Sequence, residues 1–71
     1  MTIRTGRQFL IDGDRYVVAG IEMEIDGADV RAIIEFEKFP QEIGRESKWI
    51  SLARIQAGAV VITPYGQEAT T

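Results

Sequence analysis

The stretch that decides the fold runs from Phe9 to Glu37 and reads FLIDGDRYVVAGIEMEIDGADVRAIIEFE. Apolar and polar residues alternate through most of it, and an Asp-Gly pair interrupts the alternation twice. A period of two is typical of strands with one buried face, and glycine-containing turns between such runs predict β-hairpins. We therefore predict two consecutive antiparallel hairpins.

The first hairpin surrounds Asp12-Gly13-Asp14. We expect Gly13 and Asp14 to be its two loop residues, because this register pairs apolar residues on the inward face. The inward pairs are then Ile11 with Tyr16 and Phe9 with Val18. On the outward face the same register sets Leu10 opposite Val17.

The second hairpin surrounds Gly27-Ala28, where glycine can supply the positive φ that a type II′ turn needs at its first central position. This loop predicts three inward apolar pairs, which are Ile25 with Val30, Met23 with Ala32, and Ile21 with Ile34. On the outward face it sets Glu24 opposite Arg31.

The inward residues have even numbers at Tyr16 and Val18 but odd numbers from Ile21 onward. Strand parity changes only at a bulge or bend, and glycine in a strand commonly marks one. We therefore predict a bulge at Gly20 that bends a long second strand. A strand bent in this way can close a small barrel.

After Glu37 the pattern weakens. Lys38–Lys48 is polar and predicts a loop, with Pro40 ending the third strand. For Lys48–Gly58 two interpretations remain open: a helix with Ser47 as N-cap and Gly58 after its last turn, or a strand through Ala53 followed by a 3₁₀ turn. The strand is favoured. A last strand is expected over Ala59–Thr63, ended by Pro64.

The predicted fold class is all-β: a small five-stranded antiparallel barrel with a bent second strand, which resembles SH3-like barrels in topology. The alternative is an α+β fold, with a three-stranded meander, a short helix at 48–57 and a final strand. In either case we expect a flexible basic arm at 1–8, one β domain at 9–63 and a disordered tail at 64–71. Because such folds serve many functions, the resemblance assigns none.

The composition excludes much site chemistry. The 71 residues include no Cys and no His, so histidine- or cysteine-dependent catalytic triads and thiolate or imidazole zinc sites cannot form within one chain. Glu22 and Glu24 lie about 7 Å apart on one strand face, a spacing that would suit the acid and base of a glycosidase. So short a chain, however, offers no cleft that would raise the pKa of one carboxyl group. Four aspartates bracket the two turns without the spacing of a calcium loop. We predict a protein that is not an enzyme and has no metal or cofactor.

No secretory signal or membrane-spanning run is visible, so we expect a cytoplasmic protein without a membrane partner. The formal charge of −3 is unevenly distributed. Residues 9–37 carry eight acidic and two basic side chains, whereas residues 1–8 and 38–56 are each net basic. An acidic sheet face attracts a cationic partner and repels a phosphate backbone.

Function is predicted as protein interaction or assembly, with a partner chain or a second copy bound through an apolar sheet face edged with carboxylates. The predicted contact residues are apolar positions on the outward face and the glutamates around them: Leu10, Val17, Ile33, Glu22, Glu24, Glu35 and Glu37.

The alternative function is nucleic-acid binding through a local basic and aromatic surface, which the acidic balance disfavours. Its predicted residues are Arg4, Arg7, Lys38, Arg45, Lys48, Trp49 and Arg54.

Overall fold

The computed structural model describes residues 2–39 and 46–66. Its elements are β1 (Gln8–Ile11), β2 (Asp14–Asp26), β3 (Asp29–Lys38), β4 (Ser47–Ser51), α1 (Leu52–Gln56) and β5 (Ile62–Pro64). The strands form one antiparallel sheet in the order β4-β3-β2-β1-β5. A mostly antiparallel β fold is therefore confirmed. Within the described residues the sheet is open, because β4 and β5 are its two unpaired edges.

The second hairpin has the register that the sequence predicts. Ile25 lies opposite Val30, and the predicted pairs continue to Ile21 opposite Ile34. Gly27 has a φ of +64°, and the next residue, Ala28, does not share that positive φ. This combination fits the predicted type II′ turn.

The predicted bulge is also confirmed. Val18 lies opposite Phe36 and Gly20 lies opposite Glu35, so Ala19 is the extra residue on β2. The insertion exchanges the parity of β2 and returns its apolar side chains to the face they had before the bulge. The expected closure into a barrel does not follow from this bend in the described residues.

The first hairpin departs from prediction by one loop position. Its loop is Asp12-Gly13, so that Ile11 lies opposite Asp14 and Phe9 opposite Tyr16. Asp12 has a φ of +53° and Gly13 of +84°, which is the pair of positive angles that a type I′ turn requires. Moving the loop by one residue slips the pairing by two and leaves every side chain on its face, so alternation allows both registers. Matching apolar residues across the strands favoured the wrong one, since Ile11 lies opposite Asp14 and not Tyr16.

The segment after the long loop combines both interpretations. It is a strand up to Ser51, not Ala53, followed by one turn of α-helix. The Ser51 side chain, and not the expected Ser47, accepts a hydrogen bond from the Arg54 N–H at 3.3 Å. Gly58, with a φ of +80°, ends the helix in a Schellman motif: its N–H donates to Ile55 and that of Ala59 donates to Arg54.

The last strand begins later than predicted. Residues 59–61 form turn and irregular backbone after the helix, and β5 is Ile62–Pro64. Pro64 is the last residue of the strand and lies opposite Phe9, so the strand ends at Pro64 and not before it. A proline is tolerated there because β5 is an edge strand, so within the described residues the backbone groups on its outer side have no neighbouring strand to bond.

One compact core lies on one face of the sheet. It comprises the buried side chains Phe9, Ile11, Tyr16, Val18, Ile34, Phe36, Ile50 and Ile62, with Ile3, Leu52, Ile55 and Val60 packed against it. The rings of Phe9 and Phe36 meet edge to face at 6.1 Å between centroids. The core therefore joins the first half of β2 to all the other strands.

The second half of β2 departs from prediction. Ile21, Met23 and Ile25 were expected to face inward and be covered, yet all are exposed. They lie on the same face of the sheet as the core, because Ile21 is opposite the buried Ile34. The alternation assigned their face correctly, but no described element covers that face beyond the end of the core.

Candidate functional site

An apolar row on the second hairpin is the clearest candidate surface. We call residues 21–32 the distal hairpin. On one face it exposes Ile21 by 42%, Met23 by 63%, Ile25 by 76% and Val30 by 59%. Opposite pairing places Ile25 beside Val30, and alternate residues of β2 continue the row. These side chains form a contiguous apolar row, the kind of exposed patch that marks an interaction surface.

The distal hairpin extends beyond the rest of the sheet. β1 pairs with β2 only over Asp14–Val17, and β4 pairs with β3 only over Ile33–Glu37. Residues 23–32 are therefore two-stranded in the described part of the chain. The radius of gyration of 12.7 Å exceeds the value of about 11 Å for a compact chain of this length. A two-stranded hairpin alone is marginally stable in water.

Carboxylates line the opposite face of the same hairpin. Glu22, Glu24 and Asp26 alternate with the apolar row along β2, and Asp29 and Arg31 lie on β3. Four carboxylates and one guanidinium give the distal hairpin a charge of −3, equal to that of the whole chain. Arg31 and Glu24 form an exposed ion pair at 3.7 Å. Both strands of the hairpin are thus apolar on one face and charged on the other.

The predicted apolar contact residues lie on the outward face of the sheet but do not form one group. Leu10 lies opposite Arg15, not opposite Val17 as expected, so the two are diagonal neighbours. Ile33 lies four residues along β3 from Glu37, the residue opposite Val17, a distance of about 13 Å. All three apolar residues are half-buried.

The four predicted glutamates also differ among themselves. Glu22 and Glu24 are exposed on the distal hairpin, whereas Glu35 is half-buried between Gly20 and Trp49 on the neighbouring strands. Glu37 is only 9% exposed and so does not present an open carboxylate. Only the first two lie on the distal hairpin, on the face opposite the apolar row.

The predicted basic residues are dispersed. Arg4 is exposed and Arg7 is half-buried near the start of β1, while Arg45 lies outside the described residues. Lys38 forms ion pairs with Asp14 at 3.8 Å and Glu46 at 3.4 Å. The negative charge of Asp14, together with the hydrogen bond and charge of Glu46, raises the pKa of Lys38 above its ordinary value. The Lys38 ammonium group is therefore already paired with carboxylates of the same chain.

Three of the basic and aromatic candidates do meet. Lys48, Trp49 and Arg54 line an open groove of about 330 Å³. The remaining lining residues are Ile11, Asp12, Ile50 and Val60. Trp49 is 52% exposed. Lys48 and Ile50 lie on the core face of β4, whereas Trp49, opposite Glu35, directs its ring to the other face. The groove therefore offers two cations, opposed by the Asp12 carboxylate, with the indole at its border.

Arg15 makes cation–π contacts with two residues that are distant in sequence, Phe39 and Tyr65, and the sequence did not indicate these contacts. The Arg15 guanidinium lies 4.0 Å from the ring centre of Phe39 and 4.3 Å from that of Tyr65, and it donates to the Gln8 side chain at 2.8 Å. The Tyr65 N–H also donates to the Gln8 carbonyl at 3.0 Å. Tyr65 is therefore anchored to the sheet.

The described residues contain no cluster of three potential metal-ligating side chains. In residues 2–39 and 46–66, no helix has the length and apolar character needed to cross a membrane. No known protein family, curated protein or solved structure matches the chain.

Proposed function

We propose that the chain is a non-enzymatic protein-interaction module that binds another protein chain through the distal hairpin. The observation that carries the proposal is the exposed apolar row of Ile21, Met23, Ile25 and Val30. Burying such a row removes apolar area from water, which is the main driving force of association. The row also continues the core face, so a partner would extend the core.

The distal hairpin supports this better than the outward group of Leu10, Val17 and Ile33. Those three side chains are half-buried, so a partner gains less from covering them. In addition, Glu35 and Glu37 on β3 lie between Ile33 and the pair formed by Leu10 and Val17. Glu22 and Glu24, on the other face of the same strand, supply the carboxylates that orient a cationic partner.

The test is affinity capture from the native host, followed by binding measurements with the purified partner. The double variant Met23→Ser/Ile25→Ser should weaken binding about tenfold or more, because it removes central apolar contacts. Leu10→Ser is the matched control and should bind like the unsubstituted chain. Equal affinity for the double variant, with its circular dichroism unchanged, would reject the proposal.

Nucleic-acid binding remains a second candidate because Lys48 and Arg54 line one groove and the exposed Trp49 lies at its border. An exposed indole can stack on a base while neighbouring cations contact phosphates. A fluorescent single-stranded oligonucleotide should then bind at low salt, weaken steeply as salt rises, and lose affinity in Trp49→Ala. Absence of binding at low salt would eliminate this function.

An SH3-like barrel remains a proposal for the fold type. The strand order, the bend at Ala19 and the helix before β5 support it. The groove separates residues of β4 from Val60, just before β5, and a closed barrel would need those two edges to approach. An experimental structure with β4 and β5 in contact would support the barrel, and one with both edges apart would reject it.

A further inference from the structure

The distal hairpin has a free backbone edge as well as an apolar face. Asp26 and Asp29 flank the two-residue loop, so they exchange backbone hydrogen bonds with each other. Hydrogen bonding alternates along an antiparallel pair, so Ile25, Met23 and Ile21 direct their N–H and C=O groups away from β3. The Val18 N–H obeys the same rule, since it donates toward the β1 side, to the Arg7 carbonyl at 2.9 Å.

No described strand uses that edge. The pairing of β1 with β2 ends at Val17, and beyond the bulge β2 pairs only with β3 in the described ranges. Three N–H and three C=O groups therefore face outward over Ile21–Ile25. An unpaired edge of this kind is a template for one more strand.

The two faces of β2 specify what that strand must carry. A strand added at this edge places alternate side chains beside Ile21, Met23 and Ile25. Its other side chains lie beside Glu22, Glu24 and Asp26. Apolar residues fit the first set and basic residues fit the second, because opposite charges on neighbouring strands stabilise a sheet.

A second copy of the chain is a poor occupant of this edge. Pairing β2 with β2 would bring two rows of carboxylates together, and like charges on neighbouring strands are destabilising. Charged side chains on an edge strand are a common protection against self-association. The β3 edge of the hairpin is shorter and carries no net charge, with Asp29 and Arg31. The β2 edge is thus the one whose carboxylates favour a basic partner strand.

We infer that the distal hairpin binds an extended segment of a partner protein, in which apolar and basic residues alternate, as an added strand along Ile21–Asp26 of β2. The inference rests on the proposed function and deepens it by naming the chemistry of the partner.

A short synthetic peptide, Lys-Val-Arg-Ile-Lys-Val-Arg with blocked ends, is the first probe. It should bind the full chain with an affinity that falls as salt rises. A peptide of identical composition with the basic and apolar residues in separate blocks is the control, and it should bind about tenfold more weakly or not at all. Equal binding of the two peptides would overturn the inference, since charge alone would then explain it.

Two variants of the chain test the geometry. Met23→Pro removes an edge N–H without removing a hydrogen bond to β3, and should abolish peptide binding, whereas Met23→Leu should preserve it. Glu22→Lys/Glu24→Lys should lose the basic peptide and bind Glu-Val-Glu-Ile-Glu-Val-Glu instead. If Met23→Pro keeps its circular dichroism and binds normally, the added strand is refuted even where the charge reversal succeeds.

The outcomes separate the two proposals. If the alternating peptide fails to bind while Met23→Ser/Ile25→Ser still weakens capture of the native partner, the added strand is wrong and the interaction surface stands. If that double variant leaves capture unchanged, the surface itself is wrong. Concentration-dependent dimerisation of the free chain, abolished by Met23→Pro, would assign the edge to a second copy and contradict the inference.

Discussion

The first turn requires glycine at Gly13, whereas the bulge does not require glycine at Gly20, as their backbone angles show. Gly13 has a φ of +84°, in the left-handed region that disfavours side chains. Gly20 has no such angle, and a Cβ there would lie 3.8 Å from the Glu35 side-chain oxygen, an ordinary contact. The loop geometry at Gly13 therefore depends on glycine, whereas the parity change at Gly20 depends on the inserted residue Ala19.

Gly13→Ala should lower the free energy of unfolding by about 1–2 kcal/mol, because the left-handed conformation is costly for any residue with a Cβ. Gly20→Ala is the matched control. It should leave stability unchanged or raise it by about 0.4–1 kcal/mol, since alanine restricts the unfolded chain. Urea denaturation of both variants checks this, and an equal loss in the two would contradict the assigned turn.

Ser51 is the other residue with a local function, as the N-cap of α1. Ser51→Ala should cost about 0.5–1 kcal/mol, because it leaves the Arg54 N–H without its side-chain acceptor. Ser47→Ala removes an exposed hydroxyl at the start of β4 and should change stability by less than about 0.5 kcal/mol. The same urea measurement applies, and a larger effect at Ser47 would place the helix start four residues earlier.

At the scale of elements, the second hairpin is half core and half surface. Ile34 and Ile25 have the same side chain and the same face of the sheet, yet Ile34 is buried and Ile25 is exposed. The difference arises because β4 and the core cover the first position, and no described element covers the second. The apolar face of the hairpin therefore contributes to the core at one end and is exposed at the other.

Ile34→Val should reduce the free energy of unfolding by about 0.5–1.5 kcal/mol, through a lost methylene and the space it leaves. Ile25→Val should change it by less than about 0.5 kcal/mol, because that side chain is already in water. Thermal or urea unfolding of the two variants tests the boundary of the core. A loss at Ile25 as large as that at Ile34 would indicate that the distal hairpin is covered.

The sequence predicted what local chemistry determines. Alternation identified β2 and β3, Gly27 identified one turn, and the parity change located the bulge. The register at Asp12-Gly13 was missed because both candidate loops keep the same faces, although the Asp-Gly pair itself favours a type I′ turn. Sequence periodicity assigns Ile21, Met23 and Ile25 to a face, but it contains no information on whether another element covers that face.

At the scale of the whole molecule, the described residues form one open sheet, which combines a small core with an extension. That extension has apolar side chains, carboxylates and an edge that no described strand pairs with. The interaction surface was predicted at Leu10, Val17 and Ile33, and its charged border at Glu22, Glu24, Glu35 and Glu37. Of these residues, Glu22 and Glu24 belong to the distal hairpin, on the face opposite its exposed apolar row. The shift follows from the unequal strand lengths, since β1 is four residues long and β2 thirteen. That imbalance could have been read from the sequence as a shortage of partners for β2.

Amide hydrogen exchange, measured by NMR on the free chain, tests the central claim most directly. The amides of Ile21, Met23 and Ile25 should exchange rapidly, while those of Glu22 and Glu24, which bond to β3, should be protected. Adding the alternating basic peptide should protect the first three. Slow exchange at Ile21, Met23 and Ile25 in the free chain would show that this edge is already paired and would contradict the account.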